Sequence, residues 1–156
     1  MSYIIDIMSS YLPKHLTSKD RKTQKRNLAK SRKLYQSGIY FHRPTLKSFQ
    51  SKPSPHVLRA CKLYKVDSLT PNALLAKKTK CKLSTLQKIV QKGEGASYSS
   101  GSRPNQSAKA WGLARLGSSL TGNKASKYDY HLLSEGCEKT SLALKLAKKR
   151  KNTRKK

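Results

Sequence analysis

Acidic side chains are scarce in this chain. Seven Asp and Glu stand against 35 Lys and Arg in 156 residues, a net charge of +28. Asp6, Asp20, Asp67, Glu94, Asp129, Glu135 and Glu138 are scattered through basic sequence. The paired carboxylates of acid–base or two-metal chemistry are therefore missing. Cysteine is sparse and odd in number, with Cys61, Cys81 and Cys137 far apart. That speaks against a secreted disulfide framework and leads us to expect buried thiols in a reducing compartment. His15, His42, His56 and His131 show no zinc-ligand spacing, alone or with the cysteines. No apolar run is long enough for a membrane span. The segment Tyr3 to Met8 also lacks the basic flank of a signal peptide, and it reads as a docking arm. Gly93 to Gly101 is rich in glycine and serine, so a loop is expected, but it lacks the spacing of a phosphate-binding loop. Asp129, His131 and Cys137 lie close enough in sequence to form a base–thiol pair, yet a capped helix with a buried thiol explains them more simply. We expect no catalytic residues, cofactor, metal or small-molecule substrate, and hence no enzyme.

What is abundant is positive charge, unevenly spread. Residues 19–52 sum to +10, 53–92 to +8 and 139–156 to +9, whereas 93–138 sum to only +1. Such a balance describes a polyanionic or acidic partner rather than a fold. Thr17 to Asp20 offers a helix start, and the helix expected to follow carries Arg21, Lys22, Lys25, Arg26, Lys30, Arg32 and Lys33 around a narrow face of Leu28 and Tyr35. The C-terminal Lys148, Lys149, Arg150, Lys151 and Arg154 form a second basic segment, expected as a tail after a helix starting near Thr140. Between residues 39 and 53, Tyr40, Phe41, His42, Arg43 and Phe49 interleave rings and bases. This can stack on single-stranded bases, but packing on the helices is the simpler expectation.

The intervening sequence reads as helices. Ser54-Pro55 and Thr70-Pro71 are start signals, and Ser84 to Gln87 resembles a capping box for a helix stopping at Gly93. Asn105 or Ser107 opens a helix to about Leu120, and Ser126 caps a short one to about Ser134. The fold class expected is mainly α: a small helical domain of about five to six short helices with extended basic N- and C-terminal arms. Its parts are an apolar arm (1–16), a basic helix with an aromatic and basic loop (17–53), a helical core domain (54–137) and a basic C-terminal helix and tail (138–156). The core holds a hairpin at 70–93 and a tryptophan-bearing helix at 105–121.

Two features of that core bear on function. In the hairpin, Leu75, Ala76, Cys81, Leu86 and Ile89 fall where a helix-turn-helix buries its residues, which would leave Thr85, Gln87, Lys88 and Gln91 to read DNA. A packing hairpin fits the pattern as well, since Lys80 occupies a turn position usually held by glycine. In the other helix, interior Gly112 and Gly117 cost about 1 kcal/mol each relative to alanine, so close approach of a neighbouring backbone is expected. Trp111, Gly112, Leu116 and Gly117 are thus the expected organisers of the core, with Arg103 and Arg115 turned towards local carbonyl or carboxylate partners such as Asp129 or Glu135.

The strings Ser99-Ser-Gly-Ser-Arg-Pro-Asn-Gln106, Trp111-Gly-Leu-Ala-Arg115 and Tyr128-Asp-Tyr-His-Leu-Leu-Ser-Glu-Gly-Cys137 carry a resemblance. With the segments Tyr11 to Asp20 and Lys30 to Tyr35, they resemble a protein family of the nucleocytoplasmic large DNA viruses, most of all members from algal and amoebal giant viruses. Lys80 and Asn123 stand where similar sequences are expected to hold glycine. The resemblance brings no catalytic residues. It implies a virion structural protein, a minor capsid or inner-shell component located in the particle and in host cytoplasm during assembly. Its partners would be other capsid or virion proteins, with DNA or an anionic inner-membrane surface as further possibilities. A basic DNA-binding or genome-packaging protein is the alternative.

Overall fold

The computed structural model describes residues 9–152, and it is mainly helical. The arm at Tyr3 to Met8 and Arg154 lie outside the described residues. After a 3-10 turn at Ser9–Tyr11 come α1 (Ser18–Gln36), α2 (Pro55–Tyr64), α3 (Ala73–Thr79), α4 (Leu83–Ser99), α5 (Ala108–Leu120), α6 (Lys124–Tyr128), α7 (Tyr130–Gly136) and α8 (Leu142–Asn152). These are more helices than the five to six expected, and the expected helix over residues 127–134 is divided between α6 and α7.

The helices begin where short polar side chains satisfy their first amides. Thr17 accepts from Asp20 N at 3.1 Å, Ser54 from His56 N at 3.2 Å ahead of Pro55, and Asn72 from Leu75 N at 2.8 Å. Ser107, rather than Asn105, caps α5 through Ala110 N. The capping box at Ser84 is corrected, because α4 already starts at Leu83 and Lys82 O accepts from Thr85 N and Leu86 N. The loop expected at 93–101 is corrected too, since α4 continues to Ser99. A methyl on Gly95 would stand 3.3 Å from Tyr35 Oη, so glycine inside the helix answers to packing there rather than to a stop.

The chain divides into two units, each drawn from two stretches. The first gathers the described residues up to Lys52 with Glu94–Trp111, and the second gathers Pro53–Gly93 with the described residues from Gly112 onward. The divisions fall inside α4 and α5. This departs from the core domain expected at 54–137, because residues 94–111 group with the basic N-terminal segment.

In the first unit the buried set is small and half polar: Tyr11, Leu16, Leu28 and Leu46 lie with Gln24, Ser31, Ser97 and Ser102. Polar groups therefore hold it together. Gln24 donates to Tyr11 O, and Ser31 to Tyr98 O at 2.9 Å. Asn105, in the left-handed region at φ 60°, accepts from Leu46 N and donates to the carbonyls of Leu46 and Phe49.

The second unit holds the apolar core. Leu69, Leu75, Leu86, Ile89, Leu116, Leu120 and Leu133 are at most 1% exposed and pack with Ala60, Ala143 and Ala147. Burial of each large side chain contributes about 1.5–3 kcal/mol. Helices α6, α7 and α8 pack on one another. A methyl on Gly117 would meet His56 O at 2.6 Å, which is the close backbone approach that an interior glycine requires. The four expected organisers do not act as one set: Gly112, Leu116 and Gly117 are buried in the second unit, whereas Trp111 is half-buried in the first, edge-on to Tyr11 at 5.8 Å.

Candidate polyanion interface

Helix α1 builds its basic face by periodicity. Gln24, Leu28 and Ser31 are buried on one side, and at 100° per residue the opposite side presents Lys19, Lys22, Arg26 and Lys33 around Ala29, with Lys25 on its flank, all exposed. Lys19 belongs to this face although composition alone did not single it out. None of the five forms an ion pair with a described carboxylate. The helix's one acid, Asp20, accepts from Ser48 N at 2.9 Å and from Ser48 Oγ at 2.6 Å. Those hydrogen bonds, and to a smaller extent the neighbouring Lys19 charge, hold its carboxyl below the usual range. Like charges such as Lys22 and Arg26, one turn apart, repel by about 0.2–0.5 kcal/mol per pair in an isolated helix, and counter-charge supplied from outside would relieve that repulsion.

The other three α1 cations are engaged inside the first unit. Arg21 donates to Pro13 O at 3.3 Å and Arg32 to Ser100 O at 2.8 Å. Lys30 Nζ lies 4.6 Å from the centre of the Phe41 ring, a cation–π contact that ties the following loop to the edge of the basic face. Behind that loop, Arg43 donates to Ser31 Oγ, Ser97 O and Ser102 Oγ, with no carboxylate among its partners. Burial lowers its pKa. Sequence reading placed Arg43 among loop cations and missed this role. Its partners are 12 to 59 positions away, and nothing local marks them.

In the second unit, Lys148, Lys149, Arg150 and Lys151 are not a tail but the last turns of α8, which buries Ala143, Leu144 and Ala147. Lys151 Nζ lies 4.4 Å from the Tyr130 ring centre. Basic residues in the last turn suit the helix dipole.

The hairpin has helix-turn-helix spacing, with α3 and α4 separated by Lys80, Cys81 and Lys82. Lys80 is left-handed at φ 57°, the conformation for which glycine is usual. Gln87, Lys88 and Gln91 are exposed, but Thr85 is corrected as a DNA-reading residue: it is 6% exposed and packs against Gly136. The turn is also held from outside the hairpin. Lys82 N donates to Gly136 O and Glu138 N to Lys80 O, and Cys81 and Cys137 are joined as a disulfide. The expectation of three thiols is thereby corrected, and Cys61 alone is free. The compartment argument drawn from free thiols loses its basis with it.

The disulfide also removes the base–thiol pair, since Cys137 sulfur is bonded, His131 is exposed, and Asp129 turns to other partners. Asp129, wholly buried, accepts from Arg115 Nε at 3.0 Å and Nη2 at 2.7 Å and from Ser119 Oγ at 2.7 Å, with Lys92 Nζ at 3.5 Å. Among the described residues no group of acids, histidines and cysteines is placed to hold a metal, and no helix is long and apolar enough to cross a membrane.

No curated protein and no solved structure matches the chain. A family model described as a family of unknown function (DUF5824) matches residues 13–136, which spans α1 to α7, and the chain belongs to that family.

Proposed function

We propose that this chain is a non-enzymatic attachment protein that binds a polyanionic surface through α1, and that it serves in the particle of a large DNA virus as a minor capsid or inner-shell component. The observation that carries the binding part is the α1 face of Lys19, Lys22, Lys25, Arg26 and Lys33, solvated and without ion pairs to described carboxylates, on a helix whose other cations are engaged internally. Such a face gains by releasing condensed counterions from a polyanion. The residence in a particle rests on the sequence resemblance. A salt titration tests the binding. If about six phosphates are neutralised, affinity for a DNA duplex falls roughly a thousandfold between about 50 and 200 mM salt, and replacing the five cations by Gln flattens that slope. Binding indifferent to salt and to those replacements sinks the reading. Fractionating partly disrupted particles tests the location, and recovery outside the particle counts against it.

A second reading, sequence-directed DNA binding by the hairpin, is favoured by the three-residue turn and by exposed Gln87, Lys88 and Gln91. It predicts that replacing Gln87 and Gln91 relaxes preference for one duplex over another, whereas the α1 replacements weaken all duplexes alike.

A further inference from the structure

The loop after α1 leaves rings in solvent where a small, charge-dominated unit has every reason to bury them. Tyr40 is 62% exposed, yet its ring stacks on Tyr98, with centroids 5.1 Å apart and planes 25° from parallel. Tyr35 supports Tyr40 from α1 at 6.0 Å, and His42 meets Tyr98 edge-on at 5.8 Å. Tyr98 is fixed in turn, since its carbonyl accepts from Ser31, while Arg43 grips the neighbouring Ser97 carbonyl. A flat aromatic surface is therefore held in place without being covered. Phe41 in the same loop carries Lys30 over its ring, so the aromatic cluster adjoins the basic face of α1. Glu94 is the acid close enough to act on Tyr98, whose pKa burial raises first and Glu94 second.

We infer that Tyr40, backed by Tyr98 and Tyr35, is a stacking platform for the bases of single-stranded nucleic acid, whose phosphates follow Lys30 and the α1 cations. Two observations combine here. A basic helix alone attracts any polyanion, but exposed, preorganised rings beside it select one whose flat faces are accessible. Bases in a duplex are stacked on each other and offer none, whereas a single strand offers every base, and each stacked base adds affinity with little sequence preference. An acidic protein surface would meet the charge and leave the rings unused. The inference rests on the polyanion reading and narrows it to a class of ligand.

The test uses the full chain and fluorescence anisotropy with labelled oligo-dT and oligo-U of about 15 nucleotides, a blunt duplex of the same length, and polyglutamate. Tyr40→Ala is expected to weaken both single strands by about 5- to 150-fold, the range for loss of one stacked base, and to leave the duplex within about twofold. Tyr40→Phe, which keeps the ring, should bind as the unchanged chain does. Replacing Lys22, Lys25, Arg26 and Lys33 by Gln should weaken strands and duplex together. A matched thermal midpoint confirms the Tyr40→Ala fold, and Tyr40→Leu replaces it if the midpoint drops. Equal affinity of Tyr40→Ala and unchanged chain for oligo-dT overturns the inference while leaving the polyanion reading intact. Polyglutamate bound as tightly as oligo-dT, with no effect of Tyr40→Ala, overturns it in favour of an acidic protein partner. If the unchanged chain binds none of the four probes, the polyanion reading falls and the inference with it.

Discussion

Arg115 grips Asp129 with two parallel hydrogen bonds, Nε to Oδ2 at 3.0 Å and Nη2 to Oδ1 at 2.7 Å, inside a unit where that carboxylate has no exposure at all. Planar, two-point pairing is what a guanidinium does and an ammonium cannot. Removing one partner strands the other charge. Arg115→Ala should cost about 3–5 kcal/mol, with Ser119 and Lys92 left to compensate in part, and Arg115→Lys should recover only a fraction. Urea denaturation of the three proteins checks the order.

Reduction should destabilise the second unit. The bond between Cys81 and Cys137 closes a loop with a sequence separation of 56, for which chain entropy gives about 4 kcal/mol as an upper figure. Thermal melts with and without a phosphine reductant, and of Cys137→Ser, should show matching losses of stability. Cys61→Ser should leave the loss caused by the reductant unchanged, because Cys61 is free.

Two glycines of the second unit should respond differently to a second mutation. A methyl on Gly136 would collide with the Thr85 side chain, whereas one on Gly117 would meet the His56 main chain at 2.6 Å. Both Gly→Ala changes should cost about 1–3 kcal/mol or more by overpacking. Thr85→Ala should restore part of the loss in Gly136→Ala and nothing in Gly117→Ala.

Alkali should unfold the second unit through Tyr64. Its hydroxyl is buried and donates to Leu120 O at 2.5 Å, and burial pushes its pKa up. The unfolded phenol ionises from about pH 10, while the folded one keeps its proton. The stabilisation is complete below that pH and lost as pH rises from there towards the folded value. Tyr64→Phe should flatten the fall above about pH 10 and cost about 1 kcal/mol at neutral pH for the missing hydrogen bond. Stability measured against pH for both proteins decides it.

Local physics was legible in the sequence, and long-range physics was not. Thr17 and Ser54 announce helices because a cap acts on amides two or three residues ahead, whereas Thr70-Pro71 put the next start too early and Asn72 is the cap. The basic face of α1 is legible for the same reason, since a helical period of charges needs no knowledge of the rest of the chain. Gly93 and Gly95 misled, because glycine weakens a helix wherever it stands, and only the position of Tyr35 explains why one is kept at 95. The disulfide was hidden by distance along the chain. Its cysteines meet because the turn before α4 pairs with the segment after α7. Arg43 and Asn105 were unreadable as organisers of the first unit, since each binds main-chain carbonyls, which every residue possesses and no sequence pattern advertises.

Each unit is assembled from two separated stretches, with the exchanges falling inside α4 and α5. No single cut can therefore release an intact half. A fragment ending at Lys52 lacks the Ser97 carbonyl and the Ser102 hydroxyl that Arg43 binds, and one beginning at Pro53 carries residues 94–111 without the partners they group with. The two halves cannot be traded between chains as cassettes.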